Sequence, residues 1–217
     1  MITDKIKPGQ ILVLGSGLNK NQQSLEKLKE LYRLGWKFIS TGKNLDALRD
    51  FDIQAKELES LEGCFSLEDG GDIPDSRILS GILADRKSLG DMEALADLGI
   101  DTIDIVFFST PSSVSFFHNK NDIGVQDIDV NLFSYLLAAT KNSSQVNVVT
   151  DQEDLELVTS EIQENGKTSI STREKLAQKA LQTLSSYFKF VFDIILFKTK
   201  RKQTIFPVKP ERELASA

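Results

Sequence analysis

The sequence predicts an α/β fold: an open, mostly parallel sheet of about five strands flanked by helices, with a long C-terminal helix. Short continuous apolar runs alternate with segments of helical period, as in stacked βαβ units. The clearest runs are apolar without alternation, as expected of strands covered on both faces. Glycine-punctuated turns separate strand from helix.

Ile11-Leu12-Val13-Leu14 is the first such run, followed by the turn Gly15-Ser16-Gly17. Leu25, Leu28, Leu31 and Tyr32 recur at helical spacing, and Gly35 is placed to end that helix. Lys37 to Ser40 reads as the second strand, Thr41-Gly42-Lys43 as its turn, and Leu45, Leu48 and Phe51 as a short helix. Ile53 to Leu58 is a weaker third strand. Glu62 to Ser76 has acids, glycines and a proline but no periodicity, and reads as a loop. Ile78 to Leu83 is apolar again, and Met92, Leu95, Ala96 and Leu98 mark a helix stopped by Gly99. Ile103 to Phe108 is the strongest strand, and a polar loop, Ser109 to Asp127, follows it. Leu132, Tyr135, Leu136 and Ala139 give a helix ending near Asn142; Val146 to Val149 is a strand, and Asp151 caps the helix of Leu155, Val158 and Ile162. Ser171-x-x-Glu174 is a capping box opening a helix that reaches toward Lys198. The expected organisation is one domain over residues 1–198 and a basic, proline-containing tail over 199–217.

The chain has 217 residues, 40% of them hydrophobic and 27% charged, enough to bury a core without disulfides or metal. A net charge of −6 argues against a nucleic-acid partner, which calls for a basic surface. One cysteine, Cys64, allows no internal disulfide, and with one histidine, His118, no Cys/His metal set can form. No secretory signal opens the chain, and the apolar stretch Leu184–Phe197, broken by Lys189 and Asp193, is too short to span a bilayer. A cytoplasmic protein with no membrane partner, no metal and no cofactor is expected.

Ligands of open parallel sheets sit beyond the carboxyl ends of the strands. Two turns there have the materials for a phosphate. Gly15 to Asn21 offers flexible backbone, the Ser16 hydroxyl and the Lys20 ammonium; Ser40-Thr41-Gly42 offers two hydroxyls and a glycine just ahead of a helix. Each pattern also fits a plain connecting turn, and the spacing after Gly15-Ser16-Gly17 lacks a dinucleotide fingerprint.

Beyond these turns, Ser80-Gly81-Ile82-Leu83-Ala84-Asp85-Arg86, Asp127-Ile128-Asp129-Val130, Ala138-Ala139-Thr140-Lys141-Asn142, the strand Val146 to Asp151, and Thr172 to Ala180 follow in a telling order. With Ser40-Thr41-Gly42, they make the chain resemble the IMP cyclohydrolase domain of the bifunctional AICAR transformylase/IMP cyclohydrolase, of methylglyoxal-synthase-like fold, from about Gln10 to about Lys198. The resemblance implies a purine-precursor ribonucleotide 5′-monophosphate as ligand and a homodimer. It also implies the closure of formylated aminoimidazole carboxamide ribotide to IMP with loss of water. It makes Lys141 and Asp129 the catalytic pair, and places the substrate phosphate on Ser40, Thr41 and Gly42, with Ser16 and Lys20 from the first turn; Lys43 stands where the family has a second glycine and is expected to add positive charge there.

The chain departs from the family at several positions. Asp69 to Ser76 stands where the family has Gly-Arg-Val-Lys-Thr-Leu-His-Pro, so the arginine, lysine, threonine and histidine are gone and three carboxylates, Asp69, Asp72 and Asp75, stand in the segment. Ser109-Thr110-Pro111-Ser112 stands for Asn-Leu-Tyr-Pro, Asn131-Leu132 for Gly-Gly, and Leu137 for an arginine. The alternative reading is therefore a catalytically degenerate homologue that binds a purine nucleotide or serves as an assembly or regulatory domain. Lyase chemistry of the methylglyoxal-synthase kind is a third, disfavoured because it leans on a histidine and His118 has no visible partner.

Overall fold

A computed structural model describes residues 6–15, 17–58, 74–109 and 130–205. The expectations for Ser16, Cys64, His118 and Asp129, for the side chain of Lys43, and for most of both polar loops lie outside the described residues.

Five strands form one sheet: β1 (Gln10–Gly15), β2 (Lys37–Ser40), β3 (Lys56–Glu57), β4 (Ile105–Ser109) and β5 (Asn147–Val149). Their order is β3-β2-β1-β4-β5, and every neighbouring pair is parallel. Leu12 pairs with Ile39 on one side and with Val106 on the other, and Val106 pairs with Val148. The helices are α1 (Gln22–Arg33), α2 (Gly42–Asp50), α3 (Ser76–Leu83), α4 (Leu89–Asp97), α5 (Val130–Lys141), α6 (Gln152–Asn165) and α7 (Ile170–Ile205).

Because strand side chains alternate between faces, each apolar strand feeds two cores. Ile11, Val13, Phe38, Ile105, Phe107 and Val149 pack under α1, α2 and α6. Leu12, Leu14, Ile39, Val106, Phe108 and Val148 pack under α3, α5 and α7. Leu28 and Leu31 of α1 are fully buried, each contributing about 1.5–3 kcal/mol by removal from water. At one edge of the sheet α7 packs along β5; at the other, β3 is two exposed charged residues long, a blunt edge that discourages further pairing.

The expected strands and helices are present, with two differences, and one apolar run that the sequence left unassigned finds its element. The third strand shrinks to Lys56–Glu57. The apolar run Ile78–Leu83 belongs to helix α3, whose Ile78 and Ile82, four residues apart, share the buried face. Helix α7 is capped two residues earlier than expected: the Thr172 N–H donates to Ser169 Oγ at 3.0 Å, and Ser171 lies inside the helix. It then runs through the expected boundary at Lys198 to Ile205. Among the described residues, no helix is long and apolar enough to cross a membrane.

The topology fixes where a ligand can sit. From β1 the chain moves outward through β2 and β3, then returns to place β4 on the other side of β1. β2 lies on one side of β1 and β5 on the far side of β4, so the strand order switches beyond Gly15 and Ser109, the place where open parallel sheets have their ligand crevice.

Candidate functional site

The ends of β1 and β4 meet closely at that crevice. Gly15 has φ +90°, and a Cβ there would lie 2.2 Å from the Ser109 carbonyl oxygen, so only glycine permits the approach. The Gly17 N–H donates to the same oxygen at 3.3 Å. From α2, the Asn44 amide donates to the Gly15 carbonyl at 2.9 Å. These contacts tie the turns after β1 and β2 to the end of β4. Asn44 is 1% exposed and its Oδ1 has no partner. The sequence reading missed it, although its place four residues before Leu48 puts it on the buried face of α2.

The turn after β2 supplies the N-terminus of α2. Thr41 is its cap residue, extended at φ −70°, ψ 154°, and its side chain makes no capping bond. The helix therefore presents the positive end of its dipole to the crevice side of the sheet, an arrangement that favours an anion. Ser40 is fully buried, and its hydroxyl donates to the carbonyls of Val13 (3.2 Å) and Thr41 (3.3 Å), so it braces the turn from inside. Gly42 is exposed, and Glu57 Oε1 stands 3.3 Å from where a Cβ on Gly42 would lie. Lys20 ends the 3₁₀ turn Leu18–Lys20 and is exposed.

Lys141 is elsewhere. It is the exposed last residue of α5, a helix that starts at Val130 beyond the carboxyl ends of the strands. Eleven residues of helical rise place it about 16 Å further along the axis. Asn142, next in the chain, donates to the carbonyls of Ile82 (2.7 Å) and Ala84 (3.2 Å), and the chain then enters β5 at its amino end. The structure thus brings the first and second turns together at one edge and sets Lys141 toward the opposite edge.

Two charged clusters flank the carboxyl edge. Asp75 caps α3: its Oδ1 accepts the Arg77 N–H at 2.7 Å, and Oδ2 pairs with the Arg77 guanidinium at 3.0 Å. Tyr135 Oη accepts the Asp75 N–H at 2.8 Å. Of the acids that replace family cations, this one is matched by a cation. Beyond β5, Asp151 caps α6 as expected, accepting the Asp154 N–H at 2.9 Å. Lys179 of α7 pairs with Asp151 and, at 2.9 Å, with Asp154. Burial raises the Asp154 carboxyl above its ordinary value against the pull of Lys179. Burial works to lower the Lys179 ammonium, but its bonds to Asp151 and Asp154 hold it above its ordinary value. Among the described residues, no group of three or more His, Cys, Asp or Glu could hold a metal ion.

A model of the AICARFT/IMPCHase bienzyme family matches residues 139–215. The chain is 31% identical over 163 residues to the bifunctional purine biosynthesis protein PurH of Streptococcus pyogenes, covering 73% of this chain and 32% of that protein. It is 32% identical over 188 residues to PurH of Caldicellulosiruptor saccharolyticus, covering 84% of this chain and 36% of that one. The chain spans about a third of the length of these curated relatives. A crystal structure of ForH superposes with a TM-score of 0.68 at 22% identity, over 87% of this chain and 100% of that one, a match of fold.

Proposed function

The chain forms an IMP cyclohydrolase-like domain related to the AICARFT/IMPCHase bienzyme family, and from that premise we propose that it closes the ring of formylated aminoimidazole carboxamide ribotide to IMP. The observation that carries this reading is the joining of the β1 and β2 turns by the Asn44–Gly15 bond at the crevice between β1 and β4. The ribotide 5′-phosphate lies on Thr41, Gly42 and the N-terminus of α2, with Lys43, Ser16 and Lys20 around it.

Ring closure needs the two substituents held together more than it needs a strong catalyst. The carboxamide nitrogen attacks the formyl carbon, a C–N bond forms, and the formyl oxygen leaves as water. Asp129, immediately before α5, trades protons with the amide, and a cation steadies the oxygen that gathers charge. Lys141 is assigned that task by resemblance; Lys20, on the first turn, is the cation its position favours. The protein works in the cytoplasm without a cofactor, as a homodimer whose contact includes Leu181, Phe188 and Phe192, exposed on α7.

A second reading, a nucleotide-binding or assembly domain without turnover, is favoured by two observations: the place of Lys141 at the far end of α5, and the Glu57 carboxylate beside Gly42. Following the ultraviolet change on IMP formation separates the two. Ring closure requires a rate above buffer that Asp129→Ala abolishes, with Lys141→Ala run beside it to test the resemblance. A wild-type rate equal to buffer leaves only the binding reading.

A further inference from the structure

We propose that the amino edge of the sheet, opposite the turns described above, holds a second binding site, for a small molecule bearing a phosphate or carboxylate group. A hollow of about 680 Å³ opens there, between the entry to β1, the end of α1, the approach to β4 and the α6–α7 connection. That volume falls in the range of small-molecule sites, roughly 300–1,000 Å³.

Its charges do not balance. Lys7, Lys37, Lys167 and Arg173 line it, against Asp101 and Asp104. Asp101 is paired with Lys37 at 3.1 Å. Asp104 accepts the Gln10 N–H at 3.0 Å and pairs with Arg86 at 3.2 Å. Lys7 and Lys167 are in no ion pair among the described residues, on a chain whose net charge is −6, while Arg173 feels the nearby Glu161 carboxylate. Arg173 is held in place by donating from Nε to the Ser144 carbonyl (3.1 Å) and from Nη1 to the Thr168 carbonyl (2.7 Å).

Its hydrogen bonds do not balance either. Trp36 lines the hollow and is 6% exposed, and its indole Nε1 is buried without an acceptor. Arg86, which does not line the hollow, braces Asp104 and donates from Nη2 to the Ile103 carbonyl. Buried donors are ordinarily paired, so the unpaired indole N–H marks a place where an acceptor is missing. Helix C-termini draw lysines to this edge, which accounts for Lys167 beyond α6, but a helix end does not explain an orphaned indole N–H. The unmet indole is a donor and the unpaired Lys7 and Lys167 are positive, so the ligand is an acceptor-rich anion.

Trp36 is the single tryptophan of the chain, and so reports on this edge alone. Inorganic phosphate titrated into the full chain at constant ionic strength, read by the ¹⁵N indole cross-peak and by fluorescence, should give a saturable shift. Replacing the exposed Lys7 and Lys167 together by alanine should weaken it about tenfold with the thermal melt unchanged, whereas Gly42→Asp at the other edge should leave it intact. Titration with citrate in parallel tells a carboxylate preference from a phosphate one. A shift that never saturates with either anion, or one equal in wild type and the double variant, overturns the site.

Discussion

The side-chain amide of Asn44 donates to the carbonyl of Gly15 at 2.9 Å, joining the turn after β2 to the turn after β1. Asn44 is almost wholly buried. Asn44→Ala leaves the Gly15 carbonyl unpaired, so the variant should lose about 1–3 kcal/mol of stability in urea unfolding. A loss near zero would show that the bond does not hold the turns.

Gly15 itself allows less change. Gly15→Ala must adopt φ +90° and press a methyl toward the Ser109 carbonyl, 2.2 Å from the ideal Cβ position. The two costs together should reach about 3 kcal/mol or more. Denaturant midpoints of purified wild type and variant check it.

The main architecture was legible because its signals are local. Ile11–Leu14 and Ile103–Phe108 are continuous apolar runs, and β1 and β4 fall on them. Where local signals compete, the reading slipped. Ser169, Ser171 and Thr172 can each cap a helix, and tertiary contacts chose Ser169: the Thr172 hydroxyl lies between Ser169 Oγ (2.8 Å) and Glu161. The run at Ile78–Leu83 could be strand or helix by composition; in the structure Ile78 and Ile82 share the buried face of a helix, and Gly81 lets it approach the Asp101 carbonyl, 2.7 Å from where a Cβ would lie. Most of the site was less legible. Ser40 and Thr41 could be named, but nothing nearby in sequence says that the Ser40 hydroxyl turns inward. The amino-edge network joins Arg86, Asp104, Asn147, Thr168 and Arg173, residues dispersed along the chain. No spacing rule reveals it.

Lys179 offers a test of the cluster beyond β5. Lys179→Met removes the cation between Asp151 and Asp154 and leaves two carboxylates facing each other. Because the lysine is partly exposed, the loss should be modest, about 1–2 kcal/mol. Adding Asp154→Asn should recover part of it, a coupling that a double-mutant cycle measures directly.

Asp104 gives a pH dependence of defined sign. Burial raises its carboxyl above 3.8, outweighing the Gln10 N–H and Arg86, which pull it down. The folded protein therefore takes up this proton at a higher pH than the unfolded chain, and between the two values it binds more protons. Its contribution to stability grows as pH falls through the raised value and levels off below 3.8. Wild type should gain stability relative to Asp104→Asn on going from about pH 7 to about pH 4; a relative loss would reverse the assignment.

Calorimetric titration of IMP into the full chain, wild type against Gly42→Asp, bears most directly on the nucleotide site. A carboxylate set on the exposed Gly42 repels the phosphate from the N-terminus of α2 and should abolish the heat of binding, with circular dichroism confirming that the variant is folded. Wild-type protein that takes up no IMP, or a variant that binds it as tightly, would contradict the placement of the nucleotide at the carboxyl edge.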